Sequence, residues 1–235
     1  MDVVGMDVVG LVGTWSVTVA DDDPAILVLH PRGFELRVGA GIRFGSWRAD
    51  AGDAFVAHVT SAGAAHADLS TPGWLERSSR VGPDGARLVL RDAAGAVTAR
   101  LDRVAPPPTV PDHQFLRPAE PLPAGPVPVE RALLVGRWEP SGGTGAPRRP
   151  HVLFEDGGRW SGSDGCNGAG GRWTCGAGGV LLATVGPTTA MACADMVPVP
   201  GWIAWTRRAG LDGDTLVLLD ADGRELGRLH RAAVP

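Results

Sequence analysis

The chain contains no lysine and no tyrosine, and Asn167 is the single asparagine among 235 residues. All 22 basic side chains are therefore arginine. Without lysine there is no Schiff-base nucleophile and no P-loop lysine to hold a nucleotide phosphate. Only three cysteines are present, Cys166, Cys175 and Cys193, and no two of them form a Cys-x-x-Cys pair. The six histidines show no His-x-x-x-His spacing, so no metal site is expected. No apolar run reaches the roughly 18 residues that a membrane-spanning helix needs. The opening stretch "MDVVGMDVVGLVGTW" has neither the basic start nor the apolar core of a signal peptide, and as written it reads as cytoplasmic. The net charge of -4 is spread over interspersed signs. That leaves no basic stripe for a nucleic acid.

What is present points to a globular β protein. Hydrophobic residues make up 44% of the chain, enough for a core. Glycine, alanine, proline and arginine are abundant, as a GC-rich bacterial gene would encode. The direct repeat Met1–Gly5 and Met6–Gly10 leaves the start site open between the two methionines.

A second repeat organises the chain. "PGWLERSSRVGPDGARLVLRDAAGAVTARLDR" spans Pro72–Arg103, and "PGWIAWTRRAGLDGDTLVLLDADGRELGRLHR" spans Pro200–Arg231. The offset is 128 without a gap, and 16 of the 32 positions are identical. Each half opens on the same signal, Leu11–Trp15 (LVGTW) and Leu134–Trp138 (LVGRW). Between the halves, Ala105–Glu130 carries nine of the 20 prolines. Proline fixes φ and donates no N–H, so this segment reads as a semi-rigid linker, pinned at most by Phe115 and Leu116. The expected domains are 1–104, a linker over 105–130, and 131–235.

Within each half, short apolar runs lie between turn signals. Hairpins are expected at Asp156-Gly157, Gly95 and Asp222-Gly223. One helix per half is expected to start at Pro72 or Pro200 and to stop at Gly82 or Gly210. The fold class is thus mainly β: two tandem small antiparallel β-barrels, each with one short helix. Gly13-Thr14-Trp15 and Gly136-Arg137-Trp138 resemble the opening of lipocalin-type barrels, where the Trp fills one end.

The second half resembles a META domain, the family that includes the HslJ proteins. The resemblance rests on Leu134–Trp138, on Phe154 and Gly157, and on Ser161–Asn167 with its Gly165-Cys166-Asn167 core. It rests equally on Thr189-Ala190-Met191-Ala192-Cys193 and on the terminal hairpin at Leu216–Leu218 and Gly223. It covers Leu134–Arg231. Val197-Pro198-Val199-Pro200-Gly201 departs from the family pattern. The first half keeps the frame and lacks both motifs, with "RVGAGIRFGSW" and "TSAGAAHAD" in their places, so it looks like a degenerate copy. The resemblance implies a lipocalin-like topology, no known catalysis and no cofactor. It further implies an interaction role linked to stress or to the bacterial envelope. The alternative is a lipocalin-like binder of a small apolar ligand.

The motif residues Gly165, Cys166, Asn167, Thr189, Met191 and Cys193 form the candidate site. Cys166 and Cys193 read either as a disulfide or as two packed thiols. A bond between them would close a loop worth on the order of 3 kcal/mol. It would be shielded by Met191 and Trp173. The glycines at 165, 168, 170 and 171 read as permitting tight turns and close backbone approach, not as a phosphate cradle. "DADG" at Asp220–Gly223 reads as a turn, because Arg231 occupies the twelfth position of a would-be calcium loop. Six of the eight tryptophans pair across the repeat and read as core. Trp160 and Trp205 do not, and are the candidates for a surface or pocket role.

Overall fold

The computed structural model describes residues 6–20, 23–63, 70–141 and 146–232. The first copy of the Met-Asp-Val-Val-Gly repeat lies outside the described residues. The chain divides into two compact units, 1–117 and 118–235.

In the first unit, β1 (Gly13–Thr18), β2 (Ala25–His30), β3 (Gly33–Val38), β4 (Gly41–Ala49) and β5 (Phe55–Ala62) form a meander. Helix α1 (Gly73–Arg77) follows, then β6 (Arg80–Asp84), β7 (Arg87–Arg91) and β8 (Val97–Arg103). The strand order is β5-β4-β3-β2-β1-β8-β7-β6. The sheet curls until its edge strands meet at one bridge, Ala54↔Arg80, flanked by backbone bonds from Phe55 to Ser79 and from Val81 to Asp53. Side chains alternate as a half-buried sheet requires. Trp15 and Val17 on β1, Leu27 and Leu29 on β2, and Phe34 and Leu36 on β3 all point into one core.

The second unit repeats this plan. It contains β9 (Val127–Pro128), α2 (Arg131–Leu134), β10 (Gly136–Pro140), β11 (His151–Phe154), β12 (Arg159–Ser163), β13 (Gly168–Gly176) and β14 (Val180–Ala183). Helix α3 (Val199–Trp205), β15 (Arg208–Asp212), β16 (Thr215–Leu219) and β17 (Glu225–Arg231) complete it. The order β14-β13-β12-β11-β10-β17-β16-β15 matches the first unit strand for strand, and a β14–β15 pairing at Val180↔Arg208 closes an eight-stranded barrel. Trp74 and Trp202 occupy equivalent helices, and Leu88 and Leu216 equivalent strands. The mainly β expectation therefore holds, but one of the two expected barrels is incomplete: the second unit closes as a barrel, whereas the first is a curled half-barrel sheet whose edges touch at an isolated bridge.

The helices are shorter than expected. They stop at Arg77 and Trp205, not at Gly82 and Gly210, which lie inside β6 and β15. The physical stop is a hydroxyl. Ser78 Oγ donates to the Trp74 carbonyl at 2.8 Å, and Thr206 Oγ1 donates to the Trp202 carbonyl at 2.6 Å. Such local side-chain bonds compete with continued helix, and both residues turn to extended backbone.

Both sheets are anchored at the strand that opens the repeat, β1 and β10. Trp15 and Trp138 are buried, and each indole N–H donates to the carbonyl four residues back, Leu11 at 2.9 Å and Leu134 at 2.8 Å. The last arginine of each repeat lies over the ring, Arg103 at 4.1 Å and Arg231 at 4.5 Å. The same guanidiniums donate to carbonyls of the entering turn, Gly10 and Val12 in one unit, Leu133 and Val135 in the other. Gly13 and Gly136 make room for them, with φ of 144° and 125°.

The proline-rich segment makes local contacts in each unit. Leu116 is buried in the first unit's core, and Arg48 stacks over Phe115 at 3.3 Å. In the second unit, β9 pairs with β15 through Gly210↔Pro128 and Leu211↔Val127. Proline is tolerated here because Val129, one residue on, supplies the N–H that reaches the Ala209 carbonyl at 3.2 Å. Val129 itself is buried in the second core.

Two outcomes follow. Gly136→Ala forces a side chain into a φ that only glycine tolerates, with its Cβ 2.5 Å from the Arg231 guanidinium. It should lower the unfolding free energy of the second unit by about 1–3 kcal/mol in urea melts. The matched change Gly82→Ala meets open space and should stay within about 0.5 kcal/mol. A fragment of residues 118–235 should also melt roughly 5–10 °C above one of residues 131–235, because the shorter piece loses β9 and buried Val129. Equal melting temperatures would show that the segment adds nothing.

Candidate functional site

The two motifs that distinguish the second half meet in one corner. The first occupies the β12–β13 connection, Asp164–Asn167. The second lies in the long loop of residues 184–198, which has neither helix nor strand. Cys166 and Cys193 are joined by a disulfide, with Cα atoms 6.1 Å apart. That separation lies within the range a disulfide requires.

Asp164 organises the turn. Its Oδ1 accepts the backbone N–H of Cys166 at 2.8 Å and of Asn167 at 2.6 Å, and its Oδ2 accepts Asn167 Nδ2 at 3.1 Å. This is an aspartate turn, in which a short side chain satisfies the N–H groups just ahead of it. Gly165 takes φ 101° at the bend, where a Cβ would stand 2.6 Å from Ala146 Cβ. Partial burial opposes ionisation of Asp164. The N–H groups of Asn167 and Cys166 and the Asn167 side chain outweigh it, and the carboxyl titrates below its ordinary value.

Asn167 then carries the turn across to the loop. Its Oδ1 accepts the Met191 N–H at 2.7 Å, and its Nδ2 donates to the Met191 carbonyl at 2.9 Å. One side-chain amide thus replaces a strand neighbour for Met191. Thr189 Oγ1 accepts the Gly168 N–H at 3.3 Å, and Val197 N–H donates to the Asp164 carbonyl at 2.9 Å. Thr189, Met191 and Cys193 therefore all dock on the Asp164–Gly168 segment. Individually such neutral bonds net about 0.5–1.5 kcal/mol, so the covalent closure, on the order of 3 kcal/mol, rivals all of them together.

Several expectations need correction. Met191 does not shield the disulfide with its side chain, which is 56% exposed; its backbone makes the contacts. Trp173 lies in the core, edge-on to Phe154 at 5.1 Å. Trp160 is not a surface residue: it is 2% exposed and donates to the Thr184 carbonyl at 2.8 Å. Trp205 is 44% exposed, at the end of α3. Cys175 forms no disulfide and packs against the core, in phase with Trp173. Gly170 permits close approach to the β12 backbone, since its Cβ would meet the Trp160 carbonyl at 2.9 Å. At Asp220–Gly223, Asp220 Oδ1 accepts the N–H groups of Asp222 and Arg224, so the turn closes on itself.

Sequence reasoning overlooked two residue sets. Asp164 was legible as an aspartate two and three residues ahead of Cys166 and Asn167. Arg103 and Arg231 were legible as the last identical pair of the repeat. In the first unit, β3 and β4 are joined by a two-residue turn, so nothing there corresponds to the corner. The segment Thr60–Asp68 lies partly outside the described residues. Among the described residues no group of three or more His, Cys, Asp or Glu side chains is placed to hold a metal. Among them, too, no helix is long and apolar enough to cross a membrane.

The depressed Asp164 pKa sets a pH dependence. The charged form is favoured in the folded state, so its contribution is full above the ordinary carboxylate value, about 4. It is lost as pH falls through the lower folded value. Thermal melts between neutral and strongly acid pH should show this loss for the second unit. Asp164→Ala should remove that step and cost about 1.5–3 kcal/mol at neutral pH. A variant with wild-type stability would show that the turn does not depend on this carboxylate.

No curated protein and no solved structure matches the chain. The model of the META domain family matches residues 132–233, so the family likeness lies in the second unit, and the first unit is not matched.

Proposed function

We propose that this is a non-enzymatic tandem META-domain protein whose second unit presents the 184–198 loop as an interaction surface. The observation that carries this reading is the braced loop. Met191 and Met196 are 56% and 40% exposed, while the backbone beneath them is held by a disulfide and by Asn167. Methionine adapts to varied apolar partners. A loop held in place before binding gives up less entropy when it binds. Long loops without regular structure are where proteins commonly place function.

The reading of a small apolar ligand inside the barrel has less support. Trp138, Phe154, Leu181, Ile203, Leu216 and Leu229 point inward and pack as one fully buried cluster. We further propose a stress- or envelope-related setting. The disulfide favours an oxidising compartment over the cytoplasm, because reducing thiol pools would open it.

The double variant Met191→Asp/Met196→Asp should fold like the wild type and lose cross-linked protein partners in extracts of the source cells. A fluorescent fatty acid should not bind the full chain saturably. One-to-one binding of that probe, with partner capture unchanged in the double variant, would replace the interaction reading with the ligand reading.

A further inference from the structure

We propose that Asn167-Gly168 is a self-modifying deamidation site, and that the Cys166–Cys193 disulfide controls whether it reacts. The chemistry requires only neighbours. The backbone nitrogen of Gly168 attacks Cγ of Asn167, the Cγ–Nδ2 bond breaks, and ammonia leaves. Water then opens the cyclic imide to aspartate or isoaspartate. Overall, the amide and one water give a carboxylate and ammonia. Glycine after asparagine is the most permissive partner, because no Cβ obstructs the approach of its nitrogen. At Gly168 the nearest atom to a built Cβ is the Gly162 carbonyl, 4.0 Å away.

In the disulfide-bonded chain both reacting groups are restrained. The Asn167 carboxamide is held by the Met191 N–H, the Met191 carbonyl and Asp164, and Met196 Sδ lies 3.7 Å from Nδ2. The attacking Gly168 N–H donates to Thr189 Oγ1. Apart from Asp164, all of these partners belong to the loop segment 189–196, which Cys193 staples to Cys166. An imide cannot form until the carboxamide rotates out of this cradle. A dithiol reductant supplies two electrons and two protons to the sulfur pair, leaving two thiols and its own disulfide. The loop then regains its chain entropy and is held only by a few isolated hydrogen bonds.

The product prevents redocking. A carboxylate at position 167 would face the Met191 carbonyl with no donor to offer. It would also stand where Nδ2 now lies 3.1 Å from the Asp164 carboxylate, so two like charges would share the turn. Isoaspartate adds a backbone carbon and shifts the β12–β13 connection as well. A reversible thiol event is thereby converted into permanent release of the loop.

The test is intact mass and peptide mapping of the full chain held at mildly alkaline pH, with and without dithiothreitol. Asn167 is the only asparagine and Gln114 the only glutamine, so peptide mapping assigns a gain of one mass unit to one or the other. Reduced protein should convert at least roughly tenfold faster than oxidised protein, the ratio expected when a local opening becomes readily populated. Reduced Gly168→Ala, which has room for its methyl group, should convert far more slowly. Equal rates in oxidised and reduced protein would overturn the proposal, as would no conversion of the reduced chain. Loss of the cooperative melt on reduction would overturn it too, because general unfolding would then expose the site.

Discussion

An arginine laid over a tryptophan joins the opening and closing strands of each repeat at the centre of its sheet. In both units the last residue of the final strand, Arg103 or Arg231, covers the Trp of β1 or β10 and caps carbonyls of the turn that leads into that strand. One guanidinium thus fastens the strand that opens each repeat to the strand that closes it, at the middle of the sheet, and satisfies backbone oxygens of the entering turn. Lysine could not replace it, since the contact needs both a flat face for the ring and several donors for the carbonyls. Gly13 and Gly136 follow from the same constraint, because any side chain there would occupy the guanidinium's place. Register then propagates from strand to strand, since a slip of one residue would turn every buried side chain outward.

The two units share this frame and differ at their margins. The first joins β3 to β4 tightly, and its edges meet at a single bridge. The second spends four residues between β12 and β13 and spans 184–198 without regular structure. Such a loop loses much chain entropy when fixed, which explains why it carries a disulfide and an asparagine brace. The frame does not need the corner, as the first unit shows by folding in the same strand order without it. A feature that the fold does not require, kept on an exposed loop, is where recognition by a partner is most reasonably sought.

The internal repeat made the duplicated fold legible. Sixteen identities at one offset mark equivalent strands directly, and alternating apolar residues mark their inner faces. The hairpins at Gly95 and Gly223 follow from the positive φ that each turn adopts, and in the hairpin expected at Asp156-Gly157 that φ falls one residue later, at Gly158. The helix ends were misplaced because Gly82 and Gly210 looked like stops, whereas Ser78 and Thr206 act earlier through bonds visible only once the helix exists. The role of residues 118–130 was hidden by proline content, which records what a segment cannot donate and not which of its neighbours can. Trp160 lacked a counterpart in the repeat, yet is buried, whereas Trp202, which has one, is only half-buried.

By itself the sequence determined the duplication, the β character, the Gly-x-Trp openings and the two motifs of the second half. These depend on local periodicity, turn chemistry and self-similarity, all of which act over a few residues or along one alignment. Tertiary structure alone decided that Cys166 bonds Cys193, that Asn167 braces Met191 and that Arg231 covers Trp138. It also brought Val129 into the second core. Each of these joins residues far apart in the chain, and only the closed path of the sheet brings them within reach.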